Sequence, residues 1–294
     1  MNQNIYNSSI WQNNKISYQN KVNPLIKTYE TKLMFEIEAL AAFKDNYIWL
    51  IKNIETHQCV VIDPGDALPV LHWLEQHTNW QLVDILITHH HADHIGGINS
   101  LKVQTNALIS APDNFIIHKD RTLKHNQFIN IAGKNTQVIA VPGHTLDHLA
   151  FFCPANSIQD QNWLFCGDTL FAAGCGRVRE GSMEQMYHSL QLLLNLPDNT
   201  LIFAAHEYTV SNLNFASIVE PDNQLIQQRL NDSIKLRKQQ KNTLPSTLYL
   251  EKQTNPFLRC HSPAIKAAAE KHVGHSLSSA LAVFNTIREW KNNF

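Results

Sequence analysis

Thr88-His89-His90-His91-Ala92-Asp93-His94 sets four histidines and a carboxylate within six consecutive positions, directly after the apolar run Leu82-Val83-Asp84-Ile85-Leu86-Ile87. The length and β-branched content of that run predict a buried strand. Side chains alternate along an extended backbone, so His89 and His91 project to one side and His90 to the other. Asp93 and His94 follow the turn at a predicted helix start, where they can face a second point nearby. Imidazoles with a carboxylate at this density suit borderline divalent metals: zinc, or iron and manganese where more oxygen joins the set. A solvated polyhistidine tract would sit at a terminus, without the alternating spacer and the acid.

Three further apolar runs each end on a metal-competent side chain. Val138-Ile139-Ala140-Val141 leads into Pro142-Gly143-His144, Trp163-Leu164-Phe165-Cys166 into Gly167-Asp168, and Leu201-Ile202-Phe203-Ala204-Ala205 into His206. Strand ends along one sheet edge are where α/β proteins gather functional groups. The candidates are then His89, His91, Asp93, His94, His144, Asp168 and His206, too many for one tetrahedral ion and enough for two. The expected partition is His89, His91 and His144 on one ion, Asp93, His94 and His206 on the other, with Asp168 bridging through its two oxygens. Two ions about 3.5–4 Å apart polarise a substrate oxygen and lower the pKa of bound water toward about 7, so the chemistry implied is hydrolysis. Cys166, two residues before Asp168, reads as buried packing. His148, four after His144, reads as a residue behind the ligands, because the seven candidates already fill two sites.

The pattern His89-x-His91-x-Asp93-His94, followed by His144, Asp168 and His206, resembles the metallo-β-lactamase superfamily signature with every position filled. Asp63, in Val60-Val61-Ile62-Asp63-Pro64-Gly65, resembles the early aspartate that orients such sites from outside the ligand set. Within the superfamily the chain is most similar to glyoxalase II, the hydroxyacylglutathione hydrolases. The narrower matches are Asp45-Asn46-Tyr47, Gly167-Asp168-Thr169-Leu170-Phe171, Gly174-Cys175-Gly176-Arg177, His206-Glu207-Tyr208-Thr209 and Asn255-Pro256-Phe257-Leu258-Arg259. The resemblance implies an α/β metallo-β-lactamase-like αββα sandwich followed by a small C-terminal α-helical domain. It implies two divalent ions, with Asp168 and Asp93 as the catalytic carboxylates, and hydrolysis of S-(2-hydroxyacyl)glutathione, typically S-D-lactoylglutathione, to glutathione and D-lactate. Tyr208 is expected to hydrogen-bond the glutathione backbone, Arg259 to hold its glycyl carboxylate and Arg177 to bind the same moiety. Arg179 stands where some members carry an aromatic residue, so it binds substrate by charge or faces solvent. The alternatives are another superfamily enzyme, such as a persulfide dioxygenase, or a non-catalytic metal-binding protein; degenerate members of the latter kind usually lose ligands.

A net charge of −1 over 294 residues argues against general nucleic-acid or membrane-surface affinity. Five cysteines without paired spacing fit a reducing compartment. No run approaches a membrane span. A cytoplasmic monomer acting on a small molecule is expected. From residue 207 to the C-terminus, 11 Lys and Arg stand against 7 Asp and Glu, an excess that suits an anionic substrate.

Residues 1–33 hold seven Asn, four Lys and one Glu without sustained periodicity. They read as a disordered N-terminal extension, translated from a start upstream of the usual one, with family-like sequence beginning after Met34. The first arginine is Arg121, which argues against an Arg-rich transit peptide, and no apolar core of a signal peptide is present. Residues 34–206 then alternate strand and helix signals as a metal-binding domain. Residues 207–294 read as a helical substrate-binding domain, with strand signals ending near Ser211. The stripe Ile226, Leu230, Ile234 after Pro221-Asp222 predicts a helix face. Ser262-Pro263 predicts a helix start and Gly274 its end, and a final helix is expected over about Ser279 to Lys291. Deleting residues 1–33 is expected to leave the melting temperature and the hydrolysis rate unchanged; a large fall in melting temperature would show that the segment packs on the domain.

Overall fold

A computed structural model of the chain describes residues 34–113, 118–157 and 160–294, so the expectation for residues 1–33 lies outside the described residues. Six strands form a first sheet in chain order: β1 (Phe35–Ala42), β2 (Asn46–Asn53), β3 (Gln58–Ile62), β4 (Gln81–Leu86), β5 (Leu108–Pro112) and β6 (Arg121–Leu123). The pairs β1–β2 and β2–β3 are antiparallel, and β3 to β6 run parallel. Helices α1 (Leu68–Gln76), α2 (Ala92–Ile95) and α3 (Ile98–Thr105) lie in the connections of the parallel half. The second sheet is made of β7 (Phe128–Ile131), β8 (Lys134–Ala140), β9 (Leu149–Cys153), β10 (Trp163–Gly167), β13 (Leu201–Ala204) and β14 (Ser246–Thr247), neighbours in that order. Between β10 and β13 the chain makes a small ribbon of β11 (Leu170–Phe171) and β12 (Gly174–Cys175), then α4 (Met183–Leu193). The helical part holds α5 (Thr209–Val219), α6 (Gln224–Lys238), α7 (Leu248–Thr254), a short 3-10 helix Pro256–Leu258, α8 (Pro263–Val273) and α9 (Ala280–Asn292).

Strand periodicity explains the layering. Tyr47, Trp49 and Ile51 of β2 join the core between the two sheets, while Ile48 and Leu50 join a second core with Val70 and Trp73 of α1 and Ile98 and Leu101 of α3. β3 divides likewise, Val60 and Ile62 against Cys59 and Val61. Met186 and Leu190 of α4 and Phe284 and Ile287 of α9 complete the cluster around the second sheet. Helices outside two packed sheets make the αββα arrangement. Each fully buried Leu, Ile or Phe contributes roughly 1.5–3 kcal/mol, so this double use of β2 and β3 anchors the first sheet from both faces.

The two sheets meet at one corner, where the start of β2 bonds the chain leaving β13. Tyr47 N donates to Ala205 O at 2.7 Å, Glu207 N to Asp45 O at 2.9 Å and Trp49 Nε1 to Ala204 O at 2.9 Å. That corner is the metal edge.

In the helical part, α8 starts at Pro263 and ends on Gly274 in the left-handed region, at φ 79°, as expected, although the Ser262 side chain makes no capping bond. Two readings differ from the sequence expectation. A strand does follow Ser211: β14 pairs antiparallel with β13, but at two residues it is too short to show periodicity. The buried face of α6 is Ile226, Arg229 and Ser233, with Leu230 and Ile234 only half-buried. Arg229 is buried because it meets the fully buried Glu251 at 2.5 Å and also donates to Thr254 and Ser246. A paired, hydrogen-bonded charge can occupy a position that hydropathy assigns to leucine.

Candidate metal centre

β4 ends at Leu86, and the chain passes through Thr88, His89 and His91 before α2 presents Asp93 and His94. His91 turns its Nδ1 inward, 3.1 Å from His89 Nε2 and 3.0 Å from His144 Nε2. The ligand atoms of His89, His91 and His144 all lie within 4.8 Å of one another, and so do those of Asp93, His94 and His206. Asp168 stands between the groups: Oδ2 is 3.4 Å from His144 Nε2, while Oδ1 is 3.5 Å from His94 Nε2 and 3.3 Å from His206 Nε2. Asp168 is aimed there by a register slip between Phe165 and Gly167 where β10 pairs with β13, and by Gly167 at φ 47°. Gly176 allows the close approach on the other side, since a Cβ there would stand 1.9 Å from Asp168 O.

In four of the five histidines the outer ring nitrogen has a hydrogen-bond partner. His94 Nδ1 lies 3.0 Å from Asp63 Oδ2, His206 Nδ1 2.9 Å from Asp45 Oδ1, His144 Nδ1 2.7 Å from Arg177 O and His89 Nδ1 3.0 Å from Thr88 Oγ1. Such partners fix the tautomer and leave the Nε2 lone pair free to point inward. Asp63 also takes the Thr88 amide at 2.7 Å and the Thr88 hydroxyl at 2.6 Å, so one carboxylate orients both His94 and the start of the histidine loop. Asn46 Nδ2 donates to Asp93 Oδ2 at 3.0 Å. Asp45, Asn46 and Thr88 carried no assigned role in the sequence reading. Asp45 and Asn46 are separated from the histidine loop by two strands, and only their place in the family-like block Asp45-Asn46-Tyr47 pointed to them.

The electrostatics suit cations. Burial is the largest influence on His89, His91 and His144 and holds all three below the ordinary imidazole range, hence neutral and able to ligate. Burial opposes charge at Asp168, but His94 and His206 outweigh it and keep the carboxyl well below the usual range. Burial likewise opposes charge on His94, which Asp168 and Asp63 nevertheless raise well above the imidazole range. His94 Nε2 and Asp168 Oδ1 are buried without a hydrogen-bond partner among the described residues. Without an ion a proton on His94 answers Asp168; with His94 neutral, its lone pair and the carboxylate oxygen face each other and a divalent cation takes the proton's place. The donor set therefore fits two divalent ions sharing Asp168.

Other candidates fall outside the two groups. His148 is fully buried, stacks on His89 at 4.7 Å between ring centroids and accepts from the Asp168 amide at 3.1 Å. Cys166 is buried, its thiol donates to Leu170 O at 3.1 Å, and burial pushes its pKa up, out of the ligating range. Tyr208 stacks on His206 with ring centroids 4.7 Å apart and an exposed edge. Arg177 and Arg179 are exposed and follow the ribbon beside His144, whose carbonyl accepts from Arg179 N at 3.2 Å. Arg259 pairs through Nη1 with Glu220. His90, expected to point away from the ligands, does so and meets Asp147 at 3.1 Å and Glu180 at 2.8 Å, tying the histidine loop to the β8–β9 connection and to the segment before α4.

Comparison with known proteins agrees with this geometry. A family model for the metallo-β-lactamase superfamily matches residues 43–114 and 108–206, and one for the hydroxyacylglutathione hydrolase C-terminus matches residues 207–294. A hydroxyacylglutathione hydrolase of Pseudomonas savastanoi pv. phaseolicola is 50% identical over 89% of this chain and 100% of its own. One from Pseudomonas aeruginosa is 46% identical with the same coverage. The chain belongs to the hydroxyacylglutathione hydrolase family. Among solved structures, ETHE1 from Myxococcus xanthus superposes with a TM-score of 0.61 at 23% identity, covering 88% of this chain and 91% of its own, a likeness of fold. A second, TTHA1623 in a di-iron-bound form, gives 0.51 at 24% identity over 76% and 99%.

Asp63→Asn replaces an acceptor by a donor on one arm of the carboxylate that orients His94. Removing such an outer partner lowers metal affinity by about 10–100-fold. Competition with a chelator should show that loss for one of two ions; unchanged affinity for both would show that Asp63 serves folding alone.

Proposed function

We propose that the chain hydrolyses S-(2-hydroxyacyl)glutathiones, typically S-D-lactoylglutathione, to glutathione and D-lactate, the second step of methylglyoxal detoxification. The observation that carries this reading is a buried pair of ligand groups sharing Asp168, in a chain half identical to hydroxyacylglutathione hydrolases along their whole length. His89, His91 and His144 would hold one ion and Asp93, His94 and His206 the other, with Asp168 common to both. Zinc suits this mixture of nitrogen and oxygen, and iron or manganese is accepted by the same donors. When bound, the ions supply Lewis-acid polarisation of the thioester carbonyl and activation of water near neutral pH.

The chain's own groups do the rest. Asp168 and Asp93 are both held ionised by the neighbouring histidines, which keeps two carboxylates available to cations. Tyr208, fixed by its stack on His206, offers its hydroxyl to the glutathione backbone beside the reacting centre. Arg177 reaches the glutathione moiety from the ribbon. Arg259 engages Glu220 through one amino group and keeps its other donors for the glycyl carboxylate. Arg179 adds positive charge at the same rim. A thiolate is a good leaving group, so no side-chain acid is required.

No helix among the described residues is long and apolar enough to cross a membrane. All five cysteines are unpaired and buried, which supports a cytoplasmic location, and we take the chain to act as a monomer.

Metal analysis paired with an assay of S-D-lactoylglutathione loss tests the reading. Two ions per chain with rapid thioester loss are expected, and a fully loaded protein without hydrolysis would refute it. Asp168→Ala should lose both ions and turnover, because it removes the shared donor; two retained ions with a near-normal rate would rule out sharing. Arg259→Lys keeps a cation for Glu220 but loses the fork. A rise in KM of roughly tenfold with little change in kcat is expected, and an unchanged KM would place Arg259 outside the site.

A further inference from the structure

His91 differs from the other four histidines of the centre. Its contacts at hydrogen-bond distance, to His89 at 3.1 Å and His144 at 3.0 Å, both run from Nδ1 toward the site, and no protein group among the described residues hydrogen-bonds its Nε2. A ring without an outer partner is free to turn, so its direction has to come from the backbone that carries it. That backbone is held one residue earlier. His90 Nδ1 lies 3.1 Å from both oxygens of Asp147, and its Nε2 lies 2.8 Å from Glu180 Oε1. An imidazole that merely faced solvent would not meet a carboxylate on each nitrogen.

The two carboxylates belong to the surroundings of His144. Asp147 follows it by three residues, its side chain is 3% exposed, and His90 is its ion-pair partner among the described residues. A buried carboxylate is costly without such a partner, which keeps His90 in place over it. Thr145 Oγ1 donates to Asp147 Oδ1 at 2.7 Å and closes the turn after His144. Glu180 grips the same turn from the other side: its amide donates to His144 O at 3.2 Å, and its Oε2 accepts from the Leu146 amide at 3.2 Å. His90 therefore joins the loop of His89 and His91 to the turn of His144, the three residues of one ligand group. The other group is held by different residues, His206 by Asp45, His94 by Asp63 and Asp93 by Asn46.

We propose that His90 is a positioning residue for one of the two ions. Clamped between Asp147 and Glu180, it aims His91 and fixes its distance from His144. The ion on His89, His91 and His144 then depends on His90, and the ion on Asp93, His94 and His206 does not. The inference rests on that partition of the ligands between two ions.

The metal-loaded full chain is titrated with a chromophoric chelator as His90→Phe, His90→Gln, Asp45→Ala and the double variant Asp45→Ala/His90→Phe. His90→Phe keeps a ring and loses both arms of the clamp. It should weaken one ion by about 10–100-fold, as loss of an outer partner does, and leave the other within about twofold. His90→Gln keeps an amide donor for one carboxylate and should recover part of the affinity. Asp45→Ala acts through His206 and should weaken the other ion alone, so that the double variant loses both and the two losses add. Excess metal refills a weakened site by mass action and should bring kcat of His90→Phe to within about threefold of the parent. Equal weakening of both ions by His90→Phe, or a double variant that keeps one ion at full affinity, would overturn the inference. Equal weakening of both ions by Asp45→Ala would instead remove the partition on which it stands. Should His90→Phe fail to fold, Glu180→Ala on the exposed side of the clamp carries the test: about tenfold weaker binding of the ion that Asp45→Ala spares is expected, and unchanged affinity overturns the clamp.

Discussion

The centre depends on imidazoles held from behind. Lone pairs that converge on one point repel one another, and an unrestrained histidine would swing away or swap tautomer. Here Asp63, Asp45, Thr88 and the Arg177 carbonyl each take the outer nitrogen of one ring, so that the inner nitrogens of His94, His206, His89 and His144 have no other direction to face. Three of these anchors stand at strand ends of the first sheet, and the fourth follows the ribbon after β12. The sandwich is thus part of the site, because only its corner brings the four anchors to a common distance.

The corner is itself a packing result. β2 buries one face between the sheets and the other under α1 and α3, so its first residues arrive at the chain leaving β13 with little freedom. Asp45 and Asn46 stand at that junction and reach His206 and Asp93 in turn. Tyr47 continues the connection outward, donating to Glu207 at 2.6 Å, and Glu207 accepts from the Thr243 amide at 2.9 Å beyond α6. Burial of the Tyr47 hydroxyl beside that carboxylate pushes its pKa far up, so it remains a donor at any physiological pH. A continuous hydrogen-bonded path therefore runs from the metal edge into the helical part.

That helical part shares an apolar cluster with the second sheet, and polar contacts fix the junction in addition. Glu251 receives Arg229 on one side and the Ala173 amide on the other, Asn255 donates to Phe171 and Gly174 carbonyls, and Arg288 holds Cys175. All of these converge on the stretch from Phe171 to Cys175. The residues that build the helical fold are the ones that brace the ribbon beside His144 and Asp168. Hydrogen-bonded groups in a dry interior specify one geometry, whereas apolar contacts tolerate repacking.

The histidine cluster and the three strand-end residues were legible from the chain because each belongs to a local pattern, an apolar run ending on a metal-competent side chain, whereas Asp63 was marked only by the family resemblance. Side-chain period and residue chemistry determine that much without any knowledge of partners. The helix boundaries at Pro263, Gly274 and Ser279 were legible for the same reason, since caps are local. Asp45, Asn46, Thr88 and Arg288 were not, although each is as ordinary in sequence as its neighbours. Their roles arise from pairs separated by up to 161 positions, as in His206 with Asp45, and no periodicity encodes such a distance. Local sequence thus determined which residues carry the chemistry, because that depends on side-chain type and strand or helix period. The tertiary structure alone decided how they are held, because an imidazole's orientation is set by whichever acceptor the fold brings to its far nitrogen.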